Sequence, residues 1–70
     1  MKYSRVYETS SRFYGGKTYE CKELVGYKCE KGYIKVTGFV TLSGNVVHEY
    51  YANGWRFSTL KDAKRELEAS

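Results

Sequence analysis

One histidine, His48, and one aspartate, Asp62, are all that this 70-residue sequence holds of either type. A Ser-His-Asp or Cys-His-Asn site needs a base oriented by a third group. Here Asp62 falls where a helix begins and His48 inside a strand pattern, with nothing to bring them together. Cysteine is scarce too: Cys21 and Cys29 are too few for a disulfide framework. No Cys-x-x-Cys or His-x-x-x-His pair supports a zinc site. On one continuous strand the two thiols would stand about 26 Å apart at ~3.3 Å per residue, out of bridging range. A chain reversal near Gly26 would bring them face to face; free thiols are the expectation. No apolar run approaches the ~18–20 residues that span a bilayer. The start, MKYSRVYETSS, lacks the apolar core of a secretory signal, so a cytoplasmic location is expected. Gly15-Gly16 lacks the further glycines and following helix of a phosphate loop. The absences point away from catalysis, metal, cofactor and membrane.

Charge and rings are what the chain has in quantity. Twelve Lys and Arg against eight Asp and Glu give a net charge of +4. Residues 1–35 hold Lys2, Arg5, Arg12, Lys17, Lys22, Lys28, Lys31 and Lys35 against Glu8, Glu20, Glu23 and Glu30, while the two signs balance in residues 36–70. A cationic half suits an anionic partner, nucleic acid first, although this net charge is also ordinary for a soluble small domain. Tyr, Phe and Trp make 17% of the chain, more than so small a domain can bury. Tyr3, Tyr7, Phe13, Tyr14, Tyr19, Tyr27 and Tyr33 interleave with the cations. Rings that stack beside cations that hold phosphate are the elements of nucleic-acid recognition. Tyrosine is equally a good strand former and a protein-interface residue. The pattern predicts an exposed binding face and leaves its partner open.

Along the chain, Lys2–Glu8 reads as a strand, Thr9-Ser10-Ser11 as a weak break, and Arg12-Phe13-Tyr14 as the approach to a Gly15-Gly16 hairpin turn. Lys17–Leu24 returns. Residues Tyr19 to Cys29 keep a strand alternation, either as one strand bent at Gly26 or as two. Glu30-Lys31-Gly32 turns into the clearest strand, Tyr33–Leu42. There Ile34, Val36, Val40 and Leu42 form a core face, and Tyr33, Lys35, Thr37, Phe39 and Thr41 a polar-aromatic face that an antiparallel sheet can leave in water. Ser43-Gly44-Asn45 turns, Val46–Ala52 pairs back, and Asn53-Gly54 delivers Trp55-Arg56-Phe57. A helix starts at Ser58 or Thr59, with Thr59-x-x-Asp62 resembling a capping box. Leu60, Ala63 and Leu67 give it one apolar stripe. So short a helix is marginal alone and must dock on the sheet.

The C-terminal half, with Gly54-x-x-Phe57-x-Thr59-x-x-x-Ala63, resembles the DNA-binding domain of plant ethylene-response factors and the arm-site domain of tyrosine integrases. The resemblance implies a three-stranded sheet packed by a helix and inserted in the major groove. Lys35 and Arg56, with Thr37, Phe39 and Trp55, would take the contacting roles. The arginine-dense strands of those families are not present here.

The resulting expectation is an α+β fold: a four- to five-stranded antiparallel meander with one C-terminal helix on one face, a single domain over residues 1–70. The expected function is non-enzymatic binding of nucleic acid, DNA before RNA, through the face carrying Tyr33, Lys35, Thr37 and Phe39. Tyr3, Arg5, Tyr7, Arg12, Lys17 and Arg56 extend that face. The alternative, from another class, is a phage- or mobile-element-type inhibitor that blocks a host protein through an aromatic hot spot. A homodimer through an edge strand is a third reading.

Overall fold

Two tight turns set the topology. Gly15-Gly16 (φ 60° and 79°) and Asn53-Gly54 (φ 52° and 80°) both have the paired positive φ of type I′ turns, whose twist matches that of the strands they join. A computed structural model of the chain describes residues 2–69. The elements are β1 (Ser4–Tyr14), β2 (Lys17–Cys29), β3 (Gly32–Val40), β4 (Val46–Ala52), β5 (Trp55–Phe57) and α1 (Leu60–Ala69). The strands form one antiparallel sheet in the order β1-β2-β3-β4-β5, and α1 packs against β3, β4 and β5. The α+β meander with a C-terminal helix is the architecture the sequence implies.

Two local expectations are corrected, and one choice left open is resolved. Thr9-Ser10-Ser11 makes no break, because β1 runs unbroken to Tyr14 with each residue paired to β2. Residues 17–29 form one strand; the register slips between Val6 and Tyr7, leaving Val25 unpaired opposite them, a bulge beside Gly26. Cys21 and Cys29 therefore lie on the same strand as free, half-buried thiols. Val40 and Leu42 do not belong to the core: Val40 is 67% exposed, and Leu42 is fully exposed and lies past the end of β3. The reason is length. A ten-residue helix is about 15 Å long, half the ~30 Å of a nine-residue strand, so it covers only the first part of β3.

The core is correspondingly thin. Ile34, Ala52, Ala63 and Leu67 are fully buried, with Tyr3, Tyr27, Cys29, Tyr50, Phe57 and Leu60 packed around them. Thr59 caps the helix, its Oγ1 accepting from the Asp62 amide at 3.2 Å, one of the donors a helix start leaves unsatisfied. Leu67 carries its Cδ1 over Gly32, pinning the end of α1 to the β2–β3 turn.

Only Gly26–Cys29 of β2 pairs with β3. Residues 7–24 therefore leave the helix-backed body as a two-stranded ribbon, and the molecule measures 49 × 30 × 17 Å.

Candidate nucleic-acid interface

Residues paired across antiparallel strands share a face, so the register assigns each side chain to a side. On the side away from α1, one row crosses the whole sheet: Val6, Gly26, Lys35, Tyr51 and Arg56. Beside it lie the pairs Lys28 with Tyr33, Thr37 with Glu49, and Phe39 with Val47. No element of the described residues covers this side. Tyr33 is 42% and Phe39 47% exposed. The open face thus carries three cations, Lys28, Lys35 and Arg56, and three rings, Tyr33, Phe39 and Tyr51.

Glu49 is the one carboxylate among these body residues. It accepts from Arg56 Nε at 3.2 Å and from the Tyr51 hydroxyl at 3.4 Å. Nε is one of the five guanidinium donors of Arg56. Where the three-residue β5 stops, β4 loses its neighbour. There a cleft of about 330 Å³ opens, lined by Phe39, Val47, His48, Glu49, Arg56, Phe57 and Ser58. Tyr33 is held at the other end, its hydroxyl donating to the Val25 carbonyl at 3.2 Å.

The ten residues expected to form one surface are divided. Tyr33, Lys35, Thr37, Phe39 and Arg56 come together on the open face. Arg5 pairs with Tyr27, which pairs in turn with the buried Ile34, so Arg5 belongs to the helix side. Tyr3 packs against the core there. Its hydroxyl donates to the Glu68 carboxylate, and Lys64 Nζ lies 4.7 Å from its ring centre. Burial, then the hydrogen bond and charge of Glu68, push the Tyr3 phenol above its ordinary value. Tyr7 shares the side of β1 held by Tyr3 and Arg5, with Lys22 Nζ 4.5 Å above its ring. Arg12 and Lys17 pair with Tyr19 and Tyr14 near the ribbon's end, about 20 Å from the body at ~3.4 Å per residue. Trp55, implied by the family resemblance, pairs with buried Ala52 and faces the helix side.

Lys28, Tyr51 and Glu49 belong to the face without having been singled out. The two-residue Asn53-Gly54 turn was the available signal, since it fixes Ala52 opposite Trp55 and hence Tyr51 opposite Arg56. The ribbon adds no net charge, because Arg12, Lys17 and Lys22 are matched by Glu8, Glu20 and Glu23. The excess cations are on the body.

No protein-family model matches this chain, and neither does any curated protein or any solved structure. Among the described residues no helix is long and apolar enough to cross a membrane.

Proposed function

We propose that this protein is a non-enzymatic nucleic-acid-binding module, and that a single strand lies across the open sheet face. The observation that carries the reading is the row Lys35–Tyr51–Arg56 with Lys28, Tyr33 and Phe39 around it. Cations would hold phosphates, and the exposed rings would stack bases. Width argues for a single strand over a duplex. Five strands at ~4.8 Å make a face about 19 Å across, too wide for a major groove of about 12 Å. In the cytoplasm, the location this reading assumes, Cys21 and Cys29 would stay reduced.

Binding of single-stranded DNA, RNA and duplex, each titrated at two salt concentrations by fluorescence anisotropy, tests the reading. Three phosphate contacts predict a log–log salt slope of about −2 for a single strand. Lys35→Ala should flatten that slope. Phe39→Ala should cost about 1–3 kcal/mol through lost stacking and leave the slope alone. Weak, salt-insensitive binding to all three polymers would overturn it.

A protein partner is the second reading, as in an inhibitor that blocks a host protein. It is favoured by the ribbon's end, where Phe13 and Tyr14 are 76% and 79% exposed on a segment without net charge. A homodimer is compatible with both, because the free edge of β1 lies apart from the open face.

A further inference from the structure

Among the described residues the longest unpartnered backbone is the outer edge of β1, eleven residues that contact β2 alone among the elements. The pair closing the two-residue turn, Tyr14 with Lys17, exchanges its hydrogen bonds within the ribbon, and pairs alternate from there. The backbone groups of Tyr7, Thr9, Ser11 and Phe13 therefore point outward, unpaired. Such an edge is a template for another strand, and among the described residues no element other than β2 lies against β1: Tyr7 is 44% exposed, Phe13 76% and Tyr14 79%.

We infer that β1 pairs antiparallel with β1 of a second copy of this chain, about a two-fold axis at Ser10. An antiparallel two-fold stands perpendicular to the sheet, so it preserves the face each side chain is on and permits only registers centred on a residue. A centre at Glu8 sets that carboxylate against itself, and a centre at Arg12 does the same with guanidinium. A centre at Thr9 places Glu8 opposite Ser10 and Arg12 opposite Val6. A centre at Ser11 places Glu8 opposite Tyr14 and Arg12 opposite Ser10. The centre at Ser10 differs from all of these. It sets Glu8 of one copy opposite Arg12 of the other, twice by symmetry. It also pairs Tyr7 with Phe13 on one face and Val6 with Tyr14 on the other. The exposed rings of the ribbon and its opposite charges are complementary to themselves in that one register. Cross-strand pairs of these kinds are the stabilising unit of a sheet, and the closed two-fold uses up the free edge of β1. The helix-backed bodies then lie at opposite ends of a continuous ten-stranded sheet, leaving both open faces free. The inference does not rest on the nucleic-acid reading.

Sedimentation equilibrium of the whole chain over a range of concentrations tests it. The wild type should dimerise reversibly. Arg12→Glu and Glu8→Arg should each weaken the dimer about tenfold or more, since each makes both symmetric pairs like-charged. Both positions are exposed, and the double variant Glu8→Arg, Arg12→Glu should dimerise again. Mixing the two single variants should give a heterodimer, because one then carries two cations and the other two anions at the facing positions. That arm also shows that both single variants are folded. In a Cys21→Ser, Cys29→Ser background, Ser10→Cys should form an inter-chain disulfide with a mild thiol oxidant, two thiols losing two protons and two electrons to it. A wild type that is monomeric at every concentration overturns the inference, whether or not a host protein captures the ribbon. So does a dimer indifferent to both charge reversals.

Discussion

Tyr33 lies over Gly26. A Cβ built at position 26 would overlap the Tyr33 hydroxyl and stand 2.6 Å from the Ile34 carbonyl oxygen. The phenol could swing away at some cost, but the carbonyl belongs to the paired strand and cannot. Gly26 therefore serves as the floor on which the Tyr33 ring is laid, beside the bulge where the ribbon leaves the body. Gly26→Ala should destabilise the domain by about 1–3 kcal/mol, the usual cost of overpacking. It should also free Tyr33 from its bond to Val25. Urea unfolding gives the first effect and Tyr33 fluorescence anisotropy the second. Unchanged values of both would mean that the ring does not sit there.

Leu67 is 1% exposed and faces Gly32 and Ile34 across the helix–sheet seam. A 70-residue domain has roughly 4–10 kcal/mol of stability at 0.05–0.15 kcal/mol per residue. Removing a buried leucine side chain takes about 2–5 of that, and burying a carboxylate in its place adds more. Leu67→Asp should leave the chain unfolded by circular dichroism at room temperature. Lys61→Asp, on an exposed position of the same helix, should not. A Leu67→Asp chain that stays soluble and melts cooperatively would contradict the packing described here.

How much of this was legible in the residues depends on how local each signal was. Gly15-Gly16, Asn53-Gly54 and Thr59-x-x-Asp62 carry their geometry within two to four residues, and each forms as its chemistry dictates. Ile34 and Leu67 were legible from periodicity. Val40 and Leu42 were not, because alternation marks a face without saying how far a partner element reaches along it. The candidate face shows the same limit. Tyr33, Lys35, Thr37 and Phe39 share a strand, so their common side follows from a period of two. Tyr3, Arg5 and Tyr7 depend on the register of β1 against β2, which the bulge at Val25 shifts. Arg12 and Lys17 depend on whether β3 follows β2 along its whole length, which it does not.

Glu49 restrains the face it belongs to. Its carboxylate takes the Arg56 Nε and sits among the groups proposed to hold phosphate. A like charge 4 Å from a phosphate costs about 1 kcal/mol in water, a factor of about five in affinity. Glu49→Gln should tighten single-strand binding by up to about that factor and make the salt slope slightly steeper. Anisotropy titrations of the two proteins at matched salt give the comparison. Equal affinities would place the bound strand away from Arg56.

Tyr3 predicts the alkaline limit of the fold. Its phenol is held above its ordinary value by burial and by the Glu68 carboxylate, so the folded chain keeps this proton more tightly than the unfolded one. The group's contribution is therefore complete below the unfolded value of about 10 and is lost as pH rises beyond it towards the folded value. Loss of the proton would set a phenolate against Glu68 at the point where the N-terminal segment is fastened to α1. Stability measured by urea unfolding should be level from neutral pH to about 10 and fall above it. Tyr3→Phe keeps the ring under Lys64 and has no proton to lose, so its decline should be shallower over the same range. The difference between the two curves isolates the contribution of Tyr3. If the curves ran parallel up to strong alkali, the Tyr3–Glu68 contact would not be a fastening of the native state.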